Sequence, residues 1–336
     1  MFGNSQAGGA AITVLNDSSS MKHLGGGSAL RTLMANNFDP QSLRTNNVLF
    51  YDEWKLFDNV VIQIARERLI LANLLASRGL TYPIPNALGV IQIQWRRSGD
   101  MNPAEVTMTG LPEADKDEMD FDFQSMPIPM IHKEFQIDAR TLEITRRGGQ
   151  PLDTTQAEVA TRKIAEMVEQ IIINGLTIGA AIGAIYGLTT QPYRNTGSVT
   201  SSWLTATGTS VIADAIAMQN ALMAKNMYGP YMLVVPLNVY NALAEDYKTY
   251  ADVTILERLL KIPGLEGIVP TSRMTGTNVL MIQLTSDVIQ LIDGIQPMMV
   301  EWEGRGGFEL NFMIFCILLP RIRADFLNQC GIAHYS

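Results

Sequence analysis

The residues that usually carry chemistry are scarce in this chain. Three histidines occur in 336 residues, His23, His132 and His334. None has a partner at metal-ligand spacing, and there is no H-E-x-x-H, so they read as structural or surface histidines. The two cysteines, Cys316 and Cys330, form no C-x-x-C pattern, and Cys316 sits in the apolar run FMIFCILLP. They read as reduced structural thiols of a cytosolically folded protein. There is no G-x-S-x-G, which leaves a nucleophile elbow unsupported. Gly25-Gly26-Gly27-Ser28 lacks the Gly-Lys-Ser/Thr ending of a phosphate loop and follows no buried strand. The acidic run Glu113, Asp115, Asp117, Glu118, Asp120, Asp122 lacks the glycine and late glutamate of a calcium loop. A solvated hairpin tip that discourages wrong edge pairing explains it better. No catalytic, cofactor-binding or metal site is expected, no cofactor is implied, and the chain does not read as an enzyme.

Charge is also in short supply. Charged residues make up 17% of the chain, against about 25% in an average soluble protein. Much of the surface is therefore uncharged, as it would be if it faced other subunits. The net charge of −8 argues against nucleic-acid binding by bulk attraction. The first residues, MFGNSQAGGAAITVLNDSSS, have no basic stretch followed by a long apolar core, so no secretory signal is expected. With 47% hydrophobic residues the chain can bury a large core, as two compact domains or one elaborate domain with insertions.

Along the chain, residues 1–50 are rich in Gly, Ser and Asn and show no strong period. They read as an arm that cannot bury itself on its own chain. Trp54, Phe57, Val61, Ile64, Leu71 and Leu75 keep a helical spacing over 52–78, with Arg68 interrupting the seam. From 88 to 137 the period changes to two. Ile91, Ile93 and Trp95 alternate with polar residues, as do Met119, Phe121 and Phe123, and SGD, NP and LPEAD supply turns. This predicts extended hairpins with one polar face, which must lie on something else to be stable.

The best-specified element is a helix over 153–174. Asp153 and Gln156 suit a capping box. Ala160, Ile164, Met167, Val168 and Ile171 form one stripe, with Glu158, Arg162, Lys163, Glu166 and Glu169 mostly facing away. From 206 helix and strand alternate. Helices are predicted over about 209–226, from Pro236 to about 246, and over 253–261. Strands are predicted at 231–235, 279–282 and 288–292, followed by strands near 298–302 and 309–319.

Residues 170–193 contain no charged side chain, and Gly175, Gly179, Gly183 and Gly187 recur every four residues. On a helix they would form the smooth face of a packed membrane span. Asn174, Thr177, Thr189 and Gln191 dilute the hydropathy, no positive cluster sets an orientation, and four glycines are costly inside a helix. The alternative is two short strands or turns, with glycine where backbones approach closely.

The order of these parts resembles the major capsid protein of tailed bacteriophages, the fold shared with encapsulin nanocompartments. The matching parts are 1–50, about 85–137, 153–174, Tyr186-Gly187-Leu188-Thr189-Thr190, LVVPLNVYNAL at 233–243 and the returning strands. The resemblance implies an α+β capsid fold with an N-terminal arm (1–50), an N-terminal helix region (51–84) and an extended β-hairpin loop (85–138). It further implies a peripheral domain with a spine helix (139–205), an axial α/β domain (206–297) and return strands of the peripheral domain (298–336). It implies a structural shell subunit, assembling with itself into pentamers and hexamers of an icosahedral capsid around double-stranded DNA. Separate scaffolding, portal and decoration proteins would be its partners. The location would be the virion capsid, assembled in host cytoplasm, with no membrane. Crosslinking through a loop lysine, known in some members of that family, would fall to Lys116 or Lys133; Lys116, among carboxylates, is better read as a salt-linked surface lysine. An encapsulin-type shell and a membrane-associated protein using 170–193 are the alternatives.

Overall fold

The computed structural model describes residues 51–98, 106, 108, 118, 121–148, 153–178, 183–248, 253–305 and 308–336. The arm, most of the hairpin tip with Glu113, Asp115, Asp117 and Asp120 of the acidic run and Lys116, Gly179 and His23 lie outside the described residues. The chain enters through helix α1 (Tyr51–Arg68) and helix α2 (Ile70–Ser77), then strands β1 (Thr81–Pro83), β2 (Gln92–Ser98), β3 (Phe121–Pro127) and β4 (Ile131–Asp138). Helix α3 (Ala139–Gly148) and the spine helix α4 (Thr155–Asn174) follow, then short strands β5 (Leu176–Thr177), β6 (Ala184–Ile185) and β7 (Asn195–Gly197). Helix α5 (Gly208–Met223), β8 (Tyr231–Pro236), α6 (Leu237–Ala242), α7 (Ile255–Leu260), β9 (Leu265–Thr271) and β10 (Val279–Gln283) build the α/β unit. The chain ends with β11 (Ile289–Gly304), β12 (Glu309–Ile322) and β13 (Ile332–Tyr335).

Two sheets organise these elements. The wall sheet has the order β1-β11-β12-β4, and the second sheet the order β7-β13-β10-β8-β9. In the wall sheet β11 and β12 pair antiparallel along nearly their whole length, so residues 288–302 make one bent strand, not two. β4 pairs with β12 and belongs to the wall, which ends the hairpin loop at β3, short of the predicted 138. Helices α1 and α4 cover this sheet. Phe57 of α1 stacks on Phe312 of β12 at 5.7 Å, and Phe312 on Phe135 of β4 at 5.1 Å. The buried Trp54 Nε1 donates to Glu301 Oε1 on β11 at 3.3 Å.

The predicted single helix over 52–78 is broken. Leu69 leaves helical geometry at φ −84° and ψ 74°. An unbroken helix would carry Arg68 into the stripe; the break leaves Arg68 exposed and buries Leu69. On α4, Ala160, Ile164, Val168 and Ile171 are buried as predicted, but Met167 is exposed and Glu169 is buried. The capping box also differs. Asp153 accepts from the Thr155 N–H at 2.9 Å, and the Thr154 hydroxyl donates to Glu158 at 3.0 Å.

The central strands β8 and β10 of the second sheet are buried on both faces. Alternate residues of its central strand β8 enter different cores: Met232 and Val234 join the wall core, Leu233 and Val235 the core under α5 and α7. The α/β unit also takes β13 as a strand beside β10, and β7 beside β13. The predicted division at 206, 297 and 298 therefore shifts. Residues 195–283 plus 332–335 form the unit, and β11 returns to the wall from its first residue. β9, for which no strand is predicted, is an edge strand parallel to β8.

Candidate assembly surfaces

Strands β2 and β3 form the base of the extended hairpin, with Trp95 opposite Gln124, Arg96 opposite Phe123 and Arg97 opposite Asp122. The face toward the body carries Ile93, Trp95, Arg97, Asp122, Gln124 and Met126. Phe121 and Phe123 therefore point outward, 47% and 68% exposed, the reverse of a polar outer face. Ile91, at the other end of this ribbon, is 82% exposed, and the Arg96 guanidinium lies 3.5 Å from the Phe121 ring centroid. The reversal has a cause. Arg97 needs Asp122 on its own face, where the pair meets at 2.6 Å, and it also donates to the Asp325 carbonyl at 3.3 Å. The guanidinium beside Asp122 holds that carboxyl below its ordinary value. Arg97 thus ties the hairpin base to the loop after β12, a role its sequence position did not signal.

The described residues of the glycine-spaced segment do not form one helix. α4 ends at Asn174, and β5 and β6 pair antiparallel as a small hairpin. Among the described residues no helix is long and apolar enough to cross a membrane. The helix end is buried, so its last carbonyls need partners. Gly175 N–H serves Ile171, Leu188 N–H serves Ile172 at 3.0 Å, Thr189 N–H serves Ile173 at 2.8 Å, and the Thr190 hydroxyl serves Asn174 at 3.1 Å. Gly175 has φ +73°, and a Cβ on Gly187 would stand 2.2 Å from the Gly175 nitrogen. Gly175 and Gly187 are there because two backbones touch. The Gly-Leu-Thr-Thr run caps α4 from the side, which its sequence did not signal.

A seam separates the wall from the α/β unit, and α2 fills it. Leu71 and Leu75 pack against Ile172 of α4, Met232 and Val234 of β8, and Ile289 of β11, around a small apolar void of about 10 Å³. Arg78 after α2 forms an ion pair with Glu266 of β9. At the other end of α2, Glu169 Oε1 accepts the N–H of Leu71 at 2.9 Å and of Ala72 at 3.2 Å. The Leu69 N-cap has no side-chain bond of its own, so α4 supplies the cap from another helix. Burial pushes the Glu169 carboxyl up to about 7, although both N–H groups and Arg273 favour its charged form. Position alone could not reveal this residue, since its neighbours Arg162, Lys163 and Glu166 are surface charges.

The remaining chemical residues are distributed without a common centre. His132 is exposed on β4, and Lys133 beside it is exposed too. Arg194 Nε donates to His334 Nδ1 at 3.1 Å, and burial with that neighbouring charge lowers the imidazole's proton affinity. Cys316 and Cys330 are free and buried, and burial pushes both thiols up to about 12. No group of three acidic, histidine or cysteine side chains among the described residues could hold a metal ion.

Comparison with known proteins places this architecture. The Type 1 encapsulin shell protein EncA of Myxococcus xanthus is 24% identical over 278 residues, 82% of this chain and 91% of that protein. The virus-like particle from Pyrococcus furiosus superposes with a TM-score of 0.62 at 16% identity, covering 86% of this chain and 100% of the other. The capsid of Myoviridae phage XM1 superposes with a TM-score of 0.58 at 11% identity, covering 73% and 85%. The chain has the α+β capsid fold shared by tailed-phage capsid proteins and encapsulins. Residues 44–315 match a family of unknown function, DUF6260, and the chain belongs to that family.

Proposed function

We propose that this chain is a shell-building subunit, the major capsid protein of an icosahedral particle that encloses double-stranded DNA. The observation that carries the reading is the hairpin. Its outward face presents Phe121 and Phe123, 47% and 68% exposed among the described residues, to solvent. A two-stranded ribbon of this kind is marginal alone and is stabilised when a neighbouring subunit covers it. Repetition of such a heterologous contact around closed rings generates pentamers and hexamers. The α/β unit would stand at the ring axes and the sheet with α1 and α4 would form the shell wall. The subunit's role is structural, not catalytic. Separate scaffolding, portal and decoration proteins, and a virion capsid assembled in host cytoplasm, complete the proposal. Low charge and a net charge of −8 limit adhesion to packaged DNA.

One observation favours a second reading, an encapsulin-type compartment filled with protein. EncA is 24% identical to this chain, whereas the phage capsid above is 11% identical. The test is electron microscopy of the purified full chain, followed by nuclease treatment and analysis of particle contents. Closed shells or five- and six-membered rings support the shell reading. A monomer that stays dispersed with and without co-expressed scaffold would end it. Nuclease-protected DNA supports the capsid form; a stoichiometric protein cargo without DNA supports the compartment form.

A further inference from the structure

We propose that Glu169 is a proton-operated latch on the seam between wall and α/β unit, closed when neutral and loosened when ionised. The bearing of this latch on a shell rests on the reading above; the latch itself is a property of the subunit. Three features of the geometry carry it. Glu169 is 6% exposed, yet it lines an open cavity of about 270 Å³ through which protons can reach it. A single oxygen, Oε1, accepts both N–H groups of the first turn of α2, leaving Oε2 to carry a proton. And α2 is the wedge that packs against α4, β8 and β11 at once, so its seating sets how the α/β unit sits on the wall.

The charged groups around Glu169 come from every side of the cavity. Glu67 and Arg68 face it from α1, Glu166 from its own helix, and Arg273 from the turn after β9, beside Thr271 and Ser272. Arg273 is engaged with Glu166 at 3.5 Å, and Glu166 also pairs with Lys163 at 3.2 Å. Arg273 therefore favours ionisation of Glu169 only in part, and burial outweighs it. The sign follows. The carboxyl holds its proton more tightly when buried, at about 7, than in water, at 4.5. Its contribution to the closed joint is full below 4.5 and is lost as pH rises through 7. Between about pH 6 and pH 8 the closed-to-open ratio should fall about tenfold.

Hydrogen–deuterium exchange on the full-length unassembled chain tests this. Protection of Leu71 and Ala72 is compared at pH 6 and pH 8 after correction for intrinsic exchange, in wild type and in Glu169→Gln. A glutamine keeps the accepting oxygen and cannot ionise. Wild type should lose about tenfold protection at the higher pH while the variant stays constant. Equal pH dependence in both proteins, or wild-type protection that rises with pH, overturns the latch. Because exchange is read without shells, failure to assemble would count against the proposed function and leave the latch result standing. With shells in hand, wild-type particles should change diameter or stability across this range and Glu169→Gln particles should not.

Discussion

At the scale of single residues, the fold depends on a few side chains and missing side chains whose replacement has a defined physical cost. Gly187 is one. Its missing Cβ lets its backbone lie against Gly175, and an added carbon would stand 2.2 Å from one nitrogen and 2.6 Å from the Ile173 carbonyl. Relief requires moving the segment that caps α4, so Gly187→Ala should destabilise the chain by roughly 3 kcal/mol or more. Denaturant unfolding of the unassembled variant measures this, and a loss under about 0.5 kcal/mol would contradict the close approach. Asp214 on α5 is another. It is buried and accepts from the Thr200 hydroxyl at 2.5 Å and from Trp203 Nε1 at 3.0 Å. Asp214→Ala strands these two donors and the Thr200 backbone N–H, which also donates to it at 3.2 Å, and a loss of about 2–4 kcal/mol is expected, accompanied by changed Trp203 fluorescence. A near-neutral result would mean that water replaces the carboxylate.

At the scale of elements, the hairpin separates folding from assembly. Its inner face holds it to the body through Arg97, and its outer face leaves Phe121 and Phe123 exposed, with only Arg96 of the same ribbon over the Phe121 ring. Phe121→Ser with Phe123→Ser removes little buried area, so the melting temperature of the unassembled chain should shift by no more than about 2 °C. Assembly, followed by light scattering, should slow at least tenfold or stop. Normal shells from this variant would show that the outer face is not a subunit contact. Much of this element plan was legible in the sequence. Period-two alternation located β2 and β3, the 3.6 period located α4, and the strand-proline-helix run located β8 and α6. What the pattern could not supply was orientation. β3 alternates equally well whichever face turns inward, and the choice is made by a long-range partner, Asp122 for Arg97. Glu169 was hidden for the same reason: its partners are backbone groups about a hundred residues earlier in the chain. The glycine run suited a membrane helix and a strand pair equally by period, and only contacts between distant backbones distinguish them.

At the scale of the whole molecule, the consequence of strand parity is cooperativity. β8 and β10 each send alternate residues to opposite cores: Leu280 and Ile282 of β10 enter the wall core, Val279 and Met281 the α/β core. Neither core can lose this sheet without exposing the other, and β13 returns the chain terminus to the same sheet. The two halves named as domains by sequence order should therefore unfold together in the unassembled chain. Trp54 lies in the wall core and Trp203 in the α/β core, which allows each half to be followed separately. Variants that keep one of these tryptophans, with the other and both remaining tryptophans replaced by phenylalanine, report the two halves under denaturant. Coincident midpoints and a single far-ultraviolet transition are expected, because a shared sheet leaves no stable half-folded state. If instead Trp203 loses its signal at distinctly lower denaturant than Trp54, the α/β unit opens alone. That would make the seam at α2 a true domain boundary, and any rotation between wall and α/β unit would need no loosening at Glu169. A single transition ties the two halves together through one sheet and one wedge helix, and it makes the seating of that helix the place where a subunit of this design can adjust its shape.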